Sequence, residues 1–320
     1  MKSHAPILTS ALAVAFLFAT MLALPAQELV MKDGRKIPAP GASRRGDKIY
    51  VTVRMGTGYG QIAYDANLIK TVKLPDLPDV VISERLMADD KAGEAIPHLD
   101  KVIRATEAFR GLADDRWGQA QLLKSSALAM IGKQADAEAV LQSIAAHDAG
   151  TPAARVAELR LDSFAPWNAG KADQWLQRAE SFSAPENPAA VRAAAYVLKG
   201  HVLLQREKYE DALVAALHVP IFFAAERFDS ARAQLIAGEA YLDIGDKKHA
   251  VRTFYDIERS FPNTAAAAAA QKEISKGGEP FAMIVEGLKK KELEDQNKFK
   301  ANQQQSATTP PATPTPTPKP

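Results

Sequence analysis

A helix pair too short to bury its own apolar faces recurs along this chain, and that recurrence limits the folds open to it. The clearest copy is Ala231–Pro262. Its first helix puts Leu235, Gly238 and Leu242 on one face, while Ile236, Glu239 and Asp243 drift to the other. Its second carries Ala250, Val251, Phe254 and Ile257 at the i, i+1, i+4, i+7 spacing of an amphipathic stripe. Ile244-Gly245-Asp246 separates the two, since a glycine takes the positive φ that ends a helix, and Pro262 stops the second. Such a pair needs copies of itself alongside to form a core.

The copies are found by tracing the small residue of the second helix backwards. From Ala250 it falls at Ala212, 38 residues earlier, and the same step carries Gly238 to Gly200. Both helices therefore keep register. Ala137 is a third instance, with Leu141 and Ile144 in the places of Phe254 and Ile257, and Ile131-Gly132 in the place of Ile244-Gly245. Ala95 begins a weaker unit with Leu99 and Val102, and Ala172 marks a degenerate one. The steps are 42, 35, 40 and 38 residues. The expected fold is mainly α, an α-solenoid of helix pairs over residues 79–276, with three clear units and five in all.

Gly238, Tyr241, Ala250, Phe254 and Pro262 stand at the spacing of the tetratricopeptide repeat signature, and this region resembles that family. The resemblance implies that Gly238 and Ala250, like Gly200 and Ala212 before them, sit where two helices touch. Tyr241 and Phe254 would fill the space between them. Phe261-Pro262-Asn263-Thr264 followed by an alanine run also resembles envelope-associated repeat proteins of the Tol–Pal coordinator type.

The flanking segments differ in character. Residues 1–26 read as a secretory signal peptide, with Lys2 ahead of an apolar run to Leu24 and Leu24-Pro25-Ala26 at the cut. An uncleaved anchor is the alternative, since a run of that length is long enough to span a bilayer. Export of a chain without cysteine leaves no disulfide to hold the fold. Residues 27–78 form a small β-domain ending in a Pro-rich linker. Leu29-Val30-Met31 runs into an Asp33-Gly34 turn, Lys48 to Arg54 alternates with Ile49, Val51 and Val53 on one face, and Gln61–Tyr64 and Ile69–Leu74 add two strands. About four strands imply a strongly curved sheet or SH3-like barrel. Gly56, Gly58 and Gly60 imitate a phosphate loop, yet a strand pattern follows, so a glycine-rich hairpin is expected. Arg45-Gly46-Asp47 reads as a plain turn.

After the repeats, Ala265–Ile274 is expected to be helical, Gly277-Gly278 to interrupt, and residues 277–300 to form an amphipathic capping helix. Residues 301–320 read as a disordered Thr/Pro-rich tail. Pro220-Ile221-Phe222-Phe223 is assigned to a connection plugging one end of the core. Trp117, Trp167 and Trp175 are assigned to the core between repeats.

Catalytic patterns are missing. The sequence holds no His-Glu-x-x-His, Gly-x-Ser-x-Gly or Walker loop, and no two of its six histidines lie at i, i+3 or i+4. Asp89-Asp90 and Asp114-Asp115 are neighbours that point apart on a helix, and helix capping explains them. No catalytic residue, metal site or cofactor is expected. The net charge of +2 gives no reason to expect nucleic acid. In the tetratricopeptide family the first helix of each pair lines a concave groove that holds partners. Carried to this sequence, the groove residues are His201 and Gln205 in one repeat, with Arg232, Glu239 and Asp243 in the next. The expectation is a non-enzymatic, exported scaffold that binds protein or peptide in the cell envelope. The alternative is binding of cell wall or polysaccharide by the β-domain, through Tyr50, Tyr59 and Tyr64, with the solenoid as spacer.

Overall fold

The computed structural model describes residues 27–112, 116–147 and 149–308, with side chains as far as Lys300. The segment read as a signal peptide, Asp114-Asp115 and the last residues of the tail lie outside the described residues. The chain divides into two compact units, one holding residues 27–166 and 184–194, the other 167–183 and 195–308. The division falls inside one helix.

The first unit begins with two three-stranded antiparallel sheets. One has the order β2-β1-β6, built from Lys36–Pro38, Glu28–Met31 and Ile69–Lys73. The other is β3-β4-β5, built from Ser43–Arg45, Lys48–Met55 and Gly58–Asp65. Alternation sets their inner faces: Leu29 and Met31, Ile49 and Val51, and Ile69 and Val72 are buried in one cluster. The four expected strands are present, joined by the short β2 and β3. Gly56 takes φ +61 in the tight turn between β4 and β5, and the glycines open no helix.

The β-cluster is not closed by its own strands. Phe109 and Leu112, more than thirty residues beyond the last strand, are buried within it, and Phe109 is 1% exposed. Phe109 lies in a 3-10 turn, Glu107–Phe109. Burial of a ring this complete contributes roughly 1.5–3 kcal/mol. Arg44 ties the same place from the other side, its guanidinium donating to the Arg110 carbonyl.

The rest of this unit holds α1 (Pro78–Ala88), α2 (Ala92–Thr106), α3 (Arg116–Met130), α4 (Gln134–His147) and α5 (Pro152–Phe164). Consecutive helices pack against each other from α1 through α5. Trp117 joins Leu141, Ile144 and Ala157 in the core between them. The indole N–H of Trp117 donates to Glu107 at 2.6 Å.

The second unit contains α6 (Ala172–Phe182), most of α7 (Ala189–Gln205), α8 (Tyr209–Phe222), α9 (Arg227–Ile244), α10 (Lys247–Ser260), α11 (Ala265–Lys276) and α12 (Gly278–Thr308). Phe254, Ile257, Phe261 and Ala270 form a core between α9, α10 and α11. The α12 helix lies against α10 and α11, with Phe281 packed so closely over Gly277 that a Cβ there would overlap its ring.

One turn repeats through the helical part. After α1, α3, α7 and α9 a residue at positive φ ends the helix: Asp90, Gly132, Glu207 and Gly245. Around each, the same two bonds form. After α9 the Gly245 N–H donates to the Leu242 carbonyl and the Asp246 N–H to that of Tyr241, and the other three turns match bond for bond. Five residues after each turn residue stand Ala95, Ala137, Ala212 and Ala250, every one fully buried. Seven residues before it stand Ser83, Ser125, Gly200 and Gly238, all buried small residues. The two serines turn their hydroxyls back onto carbonyls of their own helices, Val80 and Leu122, which lets them take a glycine's place. Helical hairpins of one type therefore recur four times. Ala172 is buried as expected, but it follows a 3-10 turn, Ala169–Lys171, with no positive-φ residue between α5 and α6.

Several expectations are corrected. Pro220-Ile221-Phe222 lies inside α8 rather than in a connection; Ile221 and Phe222 are exposed, and Phe223 alone of the four is buried. Trp117 and Trp175 are buried, but Trp167 is 38% exposed. Asp90 stands at positive φ where α1 ends, and the N-cap of α2 is Lys91. Ile236 is buried against the α7 side of α9, apart from the polar residues it was grouped with. Residues 301–308 continue α12, where the tail was expected to have begun.

Candidate functional site

The repeat register explains where the expected groove residues stand. Six positions before each turn residue, the first helices carry Glu84, Ser126, His201 and Glu239. His201 and Glu239 are thus the same position in two successive hairpins. Gln205 and Asp243 are likewise equivalent, two positions before their turns, and both are exposed.

His201 is half-buried on α7, with its Nε2 out of reach of water and without a hydrogen-bond partner. Burial pushes its pKa down from 6.5 to about 4, and the positive charge of Arg232 on α9 adds to the shift. Arg232 lies over the Phe228 ring, 5.7 Å from its centre. Glu239, about two turns further along α9, shifts the opposite way in pKa. Its side chain reaches the surface, but partial loss of hydration raises it, Glu273 and Asp243 raise it further by repulsion, and Lys276 partly offsets them. Lys276 is itself paired to Glu273 at 2.6 Å. Both perturbed groups are therefore biased towards their neutral forms.

The structure thus brings the expected residues together in two groups. His201 meets Arg232 between α7 and α9, and Glu239 meets Asp243 beside α11. Gln205 joins neither. Glu273 and Lys276 were missed from sequence, because α11 was read as an alanine-rich closing helix. In the structure α11 lies against α9 in the way a further first helix would.

The first unit has its own cleft, of about 520 Å3, between α1, α2 and α3. Leu77, Val80, Leu99, Val102 and Leu123 make its floor, and Asp76, Glu84, Arg116 and Gln119 line it with both signs of charge. Glu84 occupies the register of His201 and Glu239. The signal that would have found it is the count back from Ala95, which also gives Ser83 at the glycine position.

A second cleft, of about 430 Å3, lies between α10 and α12. It is crossed by Glu292, which accepts from the Tyr255 hydroxyl at 3.0 Å and pairs with Arg259. Burial raises the pKa of Asp256 in its wall, against the pull of Arg252 and Arg259.

Among the described residues no group of three His, Asp or Glu is placed to hold a metal ion, and no helix is long and apolar enough to cross a membrane. Comparison with protein-family models, with curated proteins and with solved structures gave no match.

Proposed function

We propose that this chain is a non-enzymatic scaffold of tetratricopeptide type, exported to the cell envelope, that binds a protein or peptide partner along the first helices of its hairpins. One observation carries this reading. Successive first helices place His201, half-buried, and Glu239, exposed, at one repeat position, so that the hairpins align polar side chains along one face. His201, with its Nε2 buried and unpartnered, disfavours the fold relative to an apolar residue, so its presence argues for a task outside the core. The cleft beside the equivalent Glu84, with an apolar floor and charged walls, suits an amphipathic segment of a partner. The export reading rests on residues 1–26.

The test is crosslinked capture from envelope extract with the full chain as bait and Arg232→Ala/Glu239→Ala as control. Both side chains stand outside the apolar core, so helicity is expected to hold and the melting temperature not to fall while the partner is lost. Equal capture by the double variant removes these residues from the site.

A further inference from the structure

The outer face of the β3-β4-β5 sheet is a second surface, separate from the helices. Strand pairing places its side chains without ambiguity. Ile49, Val51 and Val53 point into the core, so Lys48, Tyr50, Thr52 and Arg54 point out. Arg54 is paired with Tyr59 and Tyr50 with Ala63 on β5, and Arg45 on β3 is paired with Lys48. Arg45, Lys48, Arg54 and Tyr59 therefore share one flat face. All four are exposed, Tyr59 at 80%. The Arg45 guanidinium lies over the Tyr50 ring, 5.0 Å from its centre, which holds a cation and an aromatic face side by side. Tyr64 points inward to the core and has no part in this face.

The charge of the chain is concentrated here. Residues 27–74 hold nine Lys or Arg against four Asp or Glu, a surplus of five positive charges in a chain whose net charge is +2. The acids on the face amount to Asp65, 3.9 Å from Lys48 at the far end from Arg54. Arg54 lies six residue steps along β4 from Lys48, about 20 Å at the usual rise per residue. No single small anion spans that distance. A polymer with repeated anions does.

We infer that this sheet face binds an acidic polysaccharide, its carboxylates set against Arg45, Lys48 and Arg54 and a sugar ring lying on Tyr59. Charge complementarity selects an anionic polymer, and the exposed phenol gives an apolar face with a polar edge for a ring that has both. Single-stranded nucleic acid presents a similar pattern of charge and flat rings; the choice of glycan over it rests on the export reading above. It does not rest on the helical groove.

The experiment measures retention of the full chain by polygalacturonate, by neutral dextran and by oligothymidylate. The expected result is binding to polygalacturonate alone, abolished at about 1 M salt, where the Debye length is about 3 Å. Arg45→Ala/Lys48→Ala/Arg54→Ala is expected to weaken it at least about tenfold. Tyr59→Ala is expected to weaken it several-fold with no change of charge. Lys32→Ala/Lys36→Ala, in the β1–β2 turn and β2 of the other sheet, is the control and leaves binding intact. All substituted side chains are exposed, and an unchanged melting temperature verifies folding. Equal loss in the control pair, equal retention on dextran, an unaffected Tyr59→Ala, or tighter retention on oligothymidylate overturns the assignment. Cell fractionation tests export by itself, so failure of that reading is told apart from failure of this one.

Discussion

The hairpins α7–α8 and α9–α10 are 38 residues apart in register and solve the same contact with different side chains. Both put glycine on the first helix. In the later hairpin a Cβ on Gly238 would come within 2.3 Å of the Phe254 ring, so the phenylalanine occupies the room that the glycine leaves. In the earlier one the place of Phe254 is taken by Ala216, and a Cβ on Gly200 would meet the Ala212 carbonyl oxygen, Ile236 and Ala216 at 3.4–3.5 Å, ordinary contact. Their turns differ in the reverse sense, with Gly245 in one and Glu207 in the other at the same positive φ. A repeat thus conserves the geometry of a contact while exchanging which chain atoms fill it. A glycine in such a unit is needed only where its own neighbour is large.

The largest expected effect tests that neighbour. Phe254→Ala empties a fully buried site and is expected to cost about 3–5 kcal/mol in thermal unfolding, whereas Ala216, its counterpart, has no such volume to lose. An effect below about 1 kcal/mol would mean that the ring does not define the α9–α10 contact.

The next concerns His201, whose counterpart is Glu239. Because the folded state holds His201 near pKa 4, the unfolded chain takes up the proton first as pH falls below 6.5. Stability is therefore full above 6.5 and is lost towards pH 4, on the order of 2–3 kcal/mol. His201→Gln removes that part of the acid sensitivity. Glu239 acts in the opposite sense: its raised pKa means stability is lost as pH rises through and above 4.5, and Glu239→Gln abolishes this term. Urea melts at several pH values read both slopes, and equal slopes in the variants break the contrast.

Gly238→Ala against Gly200→Ala is the direct comparison. The first forces Phe254 out of place and is expected to destabilise by about 1–3 kcal/mol, less the helix-propensity gain of up to about 1. The second keeps the gain and is expected to leave the melting temperature unchanged or raised. Equal losses would show that the two contacts are alike. The smallest effect is Glu207→Gly, which relieves a left-handed conformation unfavourable to a side chain and is expected to stabilise by ~1 kcal/mol.

Much of this was legible without coordinates. A buried alanine every 35 to 42 residues, with apolar partners four and seven places on, is a helical period, and periods survive in sequence. The first helices of the Ala95 and Ala137 units escaped a full reading because serine replaces glycine at Ser83 and Ser125, and a sequence scan does not see that their hydroxyls bond to their own helices. Of the expected groove residues, Arg232, Glu239 and Asp243 lie on one helix and their shared face follows from spacing alone. That His201 faces Arg232, and that Glu273 crowds Glu239, depends on which helices lie side by side.

The sequence by itself determined the helical hairpins, their turns and the alternation of the β-strands, since each depends on residues a few places apart. Only the tertiary structure decided that Phe109 and Leu112 complete the β-cluster, that Phe254 fills the space above Gly238, and that Arg45, Arg54 and Tyr59 share an open face. The physical reason is the same in each case. A local period records which side of an element is apolar, but not what comes to rest against it, because that partner is chosen by the volume and charge of residues distant in the chain.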